Sequence, residues 1–397
     1  MRHDPYKKGY IPREITSEMR ELSEKIPVLV VTGPRQSGKT TSVREIFKGY
    51  NYFNLEYPDT RLYAEEDPRG FLETNADPGI IIDEIQNLPQ MLSYIQGFVD
   101  ESNVNGRVIL TGSRNFNLLE GISQSLAGRT IVFSLLPLSI AELKREGIVT
   151  KETRYEELML QGFYPRLYKE GLRSSEWMPS YISNYVQRDI RQLVNIKELN
   201  SFHTFLKMCA GRIGQLINYS SIANDIGVDH RTVSQWISLL ETSYIVFRLR
   251  PYYRNWRKRL VKSPKLYFYD TGLACSILGI TEPEQVDSHF LKGGLFENMV
   301  ISEMMKNDFN WLKHSDFYFF RDHNGNELDL IKESRQGELL VYEIKSGRTV
   351  TSDYFKGLKY FRRLTEGVQD VKETVVYGGR ENRKQSGANV VSWFDAV

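Results

Sequence analysis

An eight-residue loop pattern near the N-terminus constrains the fold more than any other part of this sequence. Residues 33–40 read GPRQSGKT and satisfy the pattern GxxxxGK[ST] at every position. Gly33 and Gly38 allow the backbone to curl so that its N–H groups point towards phosphate oxygens. An apolar run precedes the loop and a helical pattern follows it, so the positive end of that helix faces the same phosphates. The sequence therefore predicts a strand–loop–helix unit of a nucleotide-binding α/β fold.

This loop pattern assigns roles to individual side chains. We expect Lys39 to reach the β- and γ-phosphates of ATP and Thr40 to place its hydroxyl on Mg²⁺. The same letters would also describe a glycine-rich turn with an exposed lysine, but the flanking strand and helix favour a phosphate loop. The candidate nucleotide-binding residues in this stretch are Gly33, Pro34, Arg35, Gln36, Ser37, Gly38, Lys39, Thr40 and Thr41.

A second strand pattern supplies acidic residues for the same site. Residues 80–82 are three isoleucines, typical of a strand buried on both faces of a parallel sheet, and they end in Asp83 and Glu84. We expect Asp83 to hold Mg²⁺ through water and Glu84 to polarise the attacking water, which predicts hydrolysis. The alternative is a strand that ends in a solvated acidic turn.

A third strand pattern, GRVILTGSRN, also ends in polar residues. Ligands of open α/β sheets gather at the carboxyl ends of strands, so Ser113 or Asn115 is a candidate sensor of the γ-phosphate. Arg129 is a candidate arginine finger, acting within the chain or on a neighbouring copy in a homo-oligomer. It would equally suit the surface near a helix C-terminus. Arg114 is a weaker candidate for the same role.

The middle of the chain is predicted to be mostly helical. Arg166, Arg188 and Asp189 are candidates to contact nucleotide or a neighbouring subunit, and a structural lid is the alternative. Residues 218–249 show a helix-turn-helix pattern, with a first helix capped by Ser220, a turn at Gly227 and strands that would form a wing. The outward residues predicted for the second helix are His230, Arg231, Ser234 and Gln235.

Helix-turn-helix modules bind nucleic acids or dock other proteins. A basic strip follows this one, at residues 248–265. The strip contains no Asp or Glu, and its cations are interleaved with Tyr252, Tyr253 and Trp256. Cations beside stacking aromatics suit a nucleic-acid surface, and the same composition suits an acidic protein partner. The cations are Arg248, Arg250, Arg254, Arg257, Lys258, Arg259, Lys262 and Lys265.

The last third places charges inside strand patterns. Glu343 and Lys345 are two residues apart, so they share one face of a strand. A hairpin with its turn at 334–337 would set Asp329 beside Glu343. Two carboxylates would hold Mg²⁺, Lys345 would position or activate a water, and Glu297 would complete the cluster from a helix. The alternatives are an incidental surface ion pair and a folded site that no longer binds metal.

The bulk composition is that of a soluble globular protein. The chain has 397 residues, 41% hydrophobic and 26% charged, with a net charge of +2. That length predicts about two or three domains. Cys209 and Cys275 form no CxxC pair, which excludes a disulfide framework and fits a reducing cytosol. Without a signal-peptide pattern or a run of about 18 apolar residues, we expect a cytoplasmic protein and no membrane span.

Taken together, these segments resemble a large prokaryotic family of AAA-type ATPases with a C-terminal domain of uncharacterised function. The resemblance covers nearly the whole chain. It implies an AAA-type P-loop domain at 1–145, a helical lid plus winged-helix domain at 146–270, and a C-terminal α/β domain at 271–397. The last is similar to the PD-(D/E)XK, or restriction-endonuclease-like, fold. The motifs that carry the resemblance are GPRQSGKTT, IIIDEIQ, LTGS, SLAGR, the helix-turn-helix segment, KLYFYDTGLA, LFENMV, RDHNGNELDL and YEIKSG.

This resemblance also implies residue roles. Asp329 matches the lone acid of the nuclease pattern, Glu343 and Lys345 match its E-x-K element, and Glu297 matches the helix acid. One departure is that no His or second Lys lies near residues 343–345, as in some active resolvase-type members. The expected catalytic residues are Glu84, Lys39, Arg129, Asp329, Glu343 and Lys345, and the expected metal ligands are Thr40, Asp83, Glu297, Asp329 and Glu343.

The expected function is ATP hydrolysis coupled to a Mg²⁺-dependent, nuclease-like domain that acts on DNA. One alternative is a signalling or scaffolding AAA-type ATPase whose C-terminal domain binds a protein or nucleic acid without cleaving it. Another is an ATP-dependent nuclease specific for RNA.

Overall fold

The computed structural model describes most of the chain. The described residues are 9–102, 104–112, 121–122, 124–186, 199–252, 261–313, 316–333, 338–366 and 371–397. Several sequence predictions lie outside these ranges. They concern Ser113, Arg114, Asn115, Arg188, Asp189, the turn 334–337 and the part of the basic strip at 253–260.

The N-terminal part is built on a five-stranded sheet whose paired strands are all parallel. The strand order is β2-β3-β4-β1-β5, so the strands before the phosphate loop and before the acidic pair flank β4. Alternate residues of the strands pack into two apolar clusters, one on each face, as the continuous apolar runs predicted. The strands are β1 (Val28–Thr32), β2 (Asn51–Asn54), β3 (Ile80–Asp83), β4 (Val108–Gly112) and β5 (Thr130–Ser134).

Helices cover both faces of this sheet and continue into the middle of the chain. In the described ranges, no helix has both the length and the apolar character needed to cross a membrane. The helices near the first sheet are α1 (Thr16–Ser23), α2 (Lys39–Ile46), α3 (Pro58–Glu66), α4 (Pro68–Asn75) and α5 (Met91–Ser102). Those that follow are α6 (Ile140–Arg145), α7 (Tyr155–Gln161), α8 (Pro165–Lys169), α9 (Ser174–Tyr181), a π-helical turn (Ile182–Val186) and α10 (Leu199–Ala210).

The predicted pair of helices at 218–242 is present as α11 (Tyr219–Ile226) and α12 (His230–Thr242). Gly227 ends the first helix with a φ of 72°, a left-handed conformation that glycine adopts without strain. The predicted cap at Ser220 is wrong. Asn218 caps α11 instead, because its side chain accepts the N–H of Ser221 at 3.0 Å. The inner residues of α12 are buried as their spacing predicted, namely Val233, Trp236, Ile237 and Leu240.

An eight-stranded sheet forms the second half of the molecule, in the order β12-β13-β11-β10-β9-β8-β6-β7. The three strand patterns around the charged residues are confirmed as β8, β9 and β10. The strands are β6 (Val246–Pro251), β7 (Lys265–Phe268), β8 (Asp316–Arg321), β9 (Glu327–Glu333), β10 (Leu339–Lys345), β11 (Val371–Tyr377), β12 (Arg383–Gln385) and β13 (Ala388–Ser392). The helices are α13 (Thr271–Leu278), α14 (Pro283–Ser288), α15 (Lys292–Asn310), α16 (Lys356–Thr365) and α17 (Trp393–Ala396).

Strands β6 and β7, expected to form a separate wing, are part of this sheet. They pair antiparallel with each other, and Arg250 and Pro251 of β6 also pair in parallel with Tyr318 and Phe319 of β8. The sheet therefore crosses the domain boundary that the sequence predicted at 270/271. Pairing with β8 satisfies backbone groups at one edge of β6 that a free wing would leave to solvent.

Helix α15 links the second sheet to the N-terminal part through a buried ion pair. Lys306 Nζ lies 2.6 Å from Glu303 Oε1, and both side chains are at most 2% exposed. Glu303 Oε2 accepts the N–H of Ile140 at 2.6 Å, and Lys306 donates to the carbonyl of Leu138 at 2.9 Å. Burial raises the pKa of Glu303, while the Lys306 ammonium opposes that shift. The segment after β5 is thus fixed by charged groups of a helix more than 150 positions away in sequence.

Replacing Lys306 with Met tests the importance of this ion pair. We expect Lys306→Met to lower the free energy of unfolding by about 3–5 kcal/mol, because it leaves the buried Glu303 carboxylate without its partner. Urea denaturation measures the change. The control is Lys356→Met, which removes an ion pair with Asp353 whose side chains are 78% and 69% exposed. That control should cost less than about 1 kcal/mol, and equal effects of the two variants would contradict the expectation.

Candidate functional site

The predicted phosphate loop connects β1 to α2 in the geometry that its glycines require. Gly33 has a φ of 151°, and a Cβ there would stand 2.2 Å from the carbonyl oxygen of Leu135. Gly38 has a φ of 91° and immediately precedes α2. Lys39 is only 5% exposed, and its Nζ donates to the carbonyls of Gly33 and Pro34 at 3.1 and 2.9 Å. The ammonium is therefore held over the loop.

The loop and the acidic strand meet directly. Thr40 Oγ1 donates to Asp83 Oδ2 at 2.9 Å, and Asp83 also accepts hydroxyl hydrogen bonds from Tyr52 at 2.7 Å and from Thr111. Asp83 is 2% exposed. Burial, followed by the hydrogen bond to Asp83, raises the pKa of Tyr52 well above its usual value. A hydroxyl and a carboxylate side by side are the oxygen donors that Mg²⁺ prefers, so the arrangement fits this ion.

A cavity of about 770 Å³ lies against the loop, within the size range of about 300–1,000 Å³ of small-molecule sites. Glu84 lines it directly after Asp83, with a left-handed φ of 58° that turns the chain at the strand end. Arg166, a predicted nucleotide contact, also lines it. The lining combines loop residues, the acidic turn and helix α8, including Arg35, Gln36, Gly38, Lys39, Thr40, Thr41, Glu84, Arg166 and Lys169.

Arg13 is a residue of this site that the sequence analysis missed. It is 4% exposed, and its Nη1 donates to the Ser37 carbonyl of the phosphate loop at 2.9 Å. Its Nε donates to Glu142 Oε1 at 2.9 Å, and its Nη2 donates to the Leu136 carbonyl at 2.7 Å. One guanidinium thus ties the loop to the segment after β5. Nothing in the charged N-terminal stretch around Arg13 distinguishes it from its charged neighbours in the sequence.

The structure does not bring Arg129 to the phosphate loop of its own chain. Arg129 precedes β5, and its carbonyl accepts the N–H of Val28 at the start of β1. The loop follows the other end of β1. The Arg129 guanidinium forms a two-pronged ion pair with Asp100, at 2.6 and 2.9 Å. The length of β1 therefore separates Arg129 from the phosphate loop in this structure, and its role as an arginine finger stays a prediction.

Asp329, Glu343 and Lys345 meet where β9 and β10 separate. The last bonded pair of this antiparallel ladder is Tyr342 with Leu330, so Asp329 and Glu343 occupy the next register position, as predicted. Asp329 Oδ2 accepts the N–H of Ile344 at 2.7 Å in place of a ladder bond. Lys345 Nζ lies 3.0 Å from Asp329 Oδ2 and 2.7 Å from Glu343 Oε1.

Glu343 is the carboxylate of this acidic site whose charged form is most disfavoured, and it is 7% exposed. Burial and the neighbouring Asp329 carboxylate raise the pKa of Glu343 to about 8, although Lys345 opposes the shift. Its Oε2 has no hydrogen-bond donor among the described residues. A Cβ on Gly357 would stand 2.9 Å from this oxygen, so the glycine keeps its flank open. Two carboxylates with one unpaired oxygen fit a divalent cation.

Glu297 lies near this pair but is held by other groups. Its Oε1 accepts hydrogen bonds from Lys265 Nζ at 3.0 Å and from the Tyr267 hydroxyl. Lys265 also pairs with Glu327 Oε1 at 2.5 Å. Burial raises the pKa of Glu297 to about 6, with Lys265 acting against that shift. Across the described ranges, no three His, Cys, Asp or Glu side chains are placed to hold a metal together, so Glu297 does not complete a three-carboxylate site.

Lys265 corrects one part of the basic-strip prediction. It is 2% exposed and its Nζ pairs with Glu297 and Glu327, because all four residues of the edge strand β7 are buried. The remaining described members of the strip are Arg248, Arg250 and Lys262, which line a groove of about 790 Å³ together with Tyr252 and Tyr318.

Comparison with sequence families divides the chain into three matched segments. Residues 25–144 match a family described as "AAA domain". This segment is similar to AAA-type P-loop domains. Residues 152–284 and 292–394 match two families described as domains of unknown function, DUF8612 and DUF4143. Neither description assigns a nuclease fold.

Related proteins match much of the chain at modest identity. An uncharacterized protein of Mycobacterium tuberculosis is 28% identical over 374 residues, which is 92% of this chain and 80% of the relative. An uncharacterized protein of Haemophilus influenzae is 23% identical over 64% of this chain and 69% of its own.

Solved structures give weaker likenesses. A Walker-type ATPase of Pyrococcus abyssi is 14% identical, with a TM-score of 0.46, over 69% of this chain and 99% of its own. RuvB of Thermotoga maritima is 15% identical, with a TM-score of 0.31, over 62% and 93%. TM-scores of this size do not establish a common fold.

Replacing Arg13 tests its support of the phosphate loop. We expect Arg13→Gln to weaken ATP binding about tenfold, because the loop carbonyl and Glu142 lose a charged donor. Arg13→Lys should lie between the variant and the wild type, since an ammonium lacks the fork of donors. Isothermal titration with ATP measures the affinity, and unfolding curves confirm that each variant is folded. Arg20→Gln, an exposed arginine of α1, is the control, and a loss of equal size there would contradict the role of Arg13.

Proposed function

We propose that this protein hydrolyses ATP at the N-terminal site and uses a Mg²⁺-dependent, nuclease-like acidic site in its C-terminal part on DNA. The observation that carries the first half is the hydrogen bond between Thr40 and Asp83 in the wall of a cavity that Lys39 and Glu84 also reach. The AAA-type match over residues 25–144 supports it.

In this proposal each side chain of the nucleotide site has one task. The backbone of the phosphate loop and Lys39 bind the β- and γ-phosphates, because both present N–H donors to one place. Thr40 and Asp83 are the residues that would hold Mg²⁺, whose chemistry there is to offset the phosphate charge. Glu84 orients and polarises the attacking water from the strand end. Ser113 is proposed as the γ-phosphate sensor.

At the acidic site, Asp329 and Glu343 are the residues that would hold Mg²⁺. Bound there, the ion would offset charge that develops on a phosphodiester. Lys345 already lies within 3.0 Å of both carboxylates, so it is placed to position a water beside them. Asp329 and Glu343 fit such an ion, whereas Glu297 is engaged by Lys265 and is proposed only as a neighbouring charge.

DNA is the proposed nucleic acid because of two exposed features. His230, Arg231 and Gln235 lie on the outer face of α12, and their exposed side chains suit phosphates or base edges in a winged-helix arrangement. The second feature is the groove lined by Arg248, Arg250 and Lys262, whose cations suit a phosphate backbone.

Coupling between the two sites is proposed to run through α15. This helix carries Glu297 near its start and, six residues on, Glu303, whose carboxylate binds the backbone of Ile140. Lys306 binds the carbonyl of Leu138, which lines the nucleotide cavity. A shift of that cavity wall on ATP turnover would therefore move or gate the helix beside the acidic site.

A second candidate function is a scaffolding or signalling ATPase whose C-terminal part only binds a partner. The ion pairs at the acidic site favour it, because two lysines already neutralise carboxylates that a cleaving site would give to metal. An RNA-specific nuclease is the remaining variant of the first proposal, and the substrate screen below separates it from a DNA nuclease.

Removal of the Lys39 ammonium tests the ATPase proposal. We expect Lys39→Ala to reduce ATP hydrolysis at least about a hundredfold, the usual effect of losing one preorganised donor at a developing charge. Release of inorganic phosphate from ATP and Mg²⁺ measures the rate. Lys48→Ala, an exposed lysine just beyond α2, serves as the control and should keep the wild-type rate. Unchanged hydrolysis by Lys39→Ala would rule out the assigned phosphate loop.

A cleavage screen with Mg²⁺ or Mn²⁺ over duplex, single-stranded and branched DNA and RNA tests the second half. We expect Asp329→Asn and Lys345→Ala to abolish cleavage while ATP hydrolysis persists, because neither residue contacts the nucleotide cavity. Asp353→Asn, an exposed aspartate of the same part of the chain, should cleave normally. If the wild-type protein cuts none of these substrates but binds nucleic acid with a steep salt dependence, the binding-only function replaces the nuclease.

A further inference from the structure

A second cavity, of about 510 Å³, lies at the end of the C-terminal sheet. Strands β10, β11 and β13 run parallel, and the residues that follow their carboxyl ends line it. Arg348 follows β10, Gly378 and Gly379 follow β11, and Trp393 follows β13. Ligands of parallel α/β sheets gather at such an edge, and the volume lies in the usual range of about 300–1,000 Å³ for small-molecule sites.

The charge of this cavity is positive. Its lining contains four guanidinium groups and two carboxylates, so arginine exceeds acid. The side chains of Arg154, Arg348 and Arg383 are 38%, 60% and 39% exposed, which leaves part of each within reach of a ligand. The charged lining residues are Arg154, Arg348, Arg380, Arg383, Glu156 and Glu381.

Neighbouring groups hold these arginines in place. The fully buried Glu156 accepts a hydrogen bond from Arg348 Nη2 at 2.9 Å. The Arg380 guanidinium lies 5.4 Å from the ring centre of Trp393, and that of Arg383 lies 6.0 Å from the ring centre of Tyr377. Each guanidinium has five N–H donors, so these contacts orient the groups and leave donors over for an acceptor.

Trp393 supplies an independent sign of a ligand. It is fully buried and lines the cavity, yet its indole Nε1 has no hydrogen-bond acceptor among the described residues. Buried tryptophan N–H groups are usually paired, because an unpaired donor costs free energy. An acceptor-rich ligand would satisfy it together with the arginines.

The two glycines after β11 let neighbouring chain segments pack closely in the wall of the cavity. A Cβ on Gly378 would stand 2.3 Å from the Ser346 carbonyl oxygen, and one on Gly379 would stand 2.2 Å from the ring of Tyr377. Only glycine fits this double crossing of chains. The Gly378 N–H donates to the carbonyls of Lys345 and Gly347, each at 3.1 Å, so the glycines shape the cavity wall and the arginines supply the donors for an anion.

We propose that this cavity binds a phosphate monoester of nucleotide size. Arginine forks match phosphate geometry, the unpaired indole N–H adds a donor, and the volume exceeds what inorganic phosphate alone would fill. This chemistry is shared by a free nucleotide and by the terminal phosphate of a nucleic-acid strand. The proposal stands independently of whether the acidic site cleaves DNA.

Isothermal titration of the full-length Lys39→Ala protein tests this site, because that background weakens binding at the phosphate loop. The probes are inorganic phosphate, AMP, and one oligonucleotide with either a 5′-phosphate or a 5′-hydroxyl. We expect saturable binding of AMP or the phosphorylated strand. Arg348→Gln and Arg383→Gln should each weaken it about tenfold. Arg363→Gln, an exposed arginine of α16 that does not line the cavity, should leave it unchanged.

Trp393→Phe separates a binding role from a structural one. It keeps an aromatic ring but removes the N–H, so binding should weaken while the unfolding midpoint changes little. Preference for AMP identifies a free nucleotide, and preference for the phosphorylated over the hydroxyl strand identifies a strand end. Absence of saturable binding by every probe, or an equal loss in Arg363→Gln and Arg383→Gln, overturns the proposal. Binding without any cleavage by the wild type supports this site and removes only the nuclease function.

Discussion

Buried charged contacts around the chain segment 136–142 hold the two halves of this molecule in one arrangement. Arg13 and Glu142 join the phosphate loop to that segment from one side, and Glu303 and Lys306 bind its backbone from the other. Apolar packing alone is non-directional and would tolerate a small slide between the two parts. Charge-assisted hydrogen bonds in a low-dielectric interior are directional, so they define the register.

The same principle explains the unusual balance of the acidic site. Four carboxylates, from Glu297, Glu327, Asp329 and Glu343, lie within reach of Lys265 and Lys345. Burial acts to lower the pKa of both lysines, but the carboxylates outweigh it and the pKa values are raised. Both ammonium groups are therefore charged and act as internal counter-ions. Lys265 comes from the edge strand β7 and Lys345 from the central strand β10, so strands that are not neighbours contribute to one charge cluster.

Much of this arrangement is readable from local sequence. The phosphate loop follows from its eight-residue motif. The buried strand ending in Asp83, the helices around Gly227 and the register of Asp329 against Glu343 follow from short-range patterns of apolar residues and turns. Arg13, Lys265 and Tyr244 do not. Tyr244 lies within 3.0 Å of the Thr32 hydroxyl, 212 positions away, and no local pattern reports such a contact.

Where sequence reasoning failed, long-range geometry decided the outcome. Arg129 belongs to a short sequence motif, but its distance from the phosphate loop depends on which end of β1 lies beside it. The pairing of β1 with β5 in the sheet sets that distance. Lys265 looks like one more cation of a basic strip, because composition carries no information on which face of β7 turns inward. The sequence pattern around Glu297 predicts only an acidic residue on a helix. It does not report the ion pair with Lys265, which comes from a different part of the chain.

The pairing of β6 with β8 has a consequence for how the chain can be divided. A fragment beginning at 271 would lose β6 and β7 and leave β8 as an exposed edge strand with unpaired backbone groups. Exposed edge strands pair with strands of other molecules and promote aggregation. It would also remove Lys265 and so leave the Glu297 carboxylate without its ammonium partner, whereas Glu327 would keep Arg321. The C-terminal half is therefore better expressed with α12 and the strands that follow it. Exchange of this part between proteins would keep a soluble product only if these elements moved together.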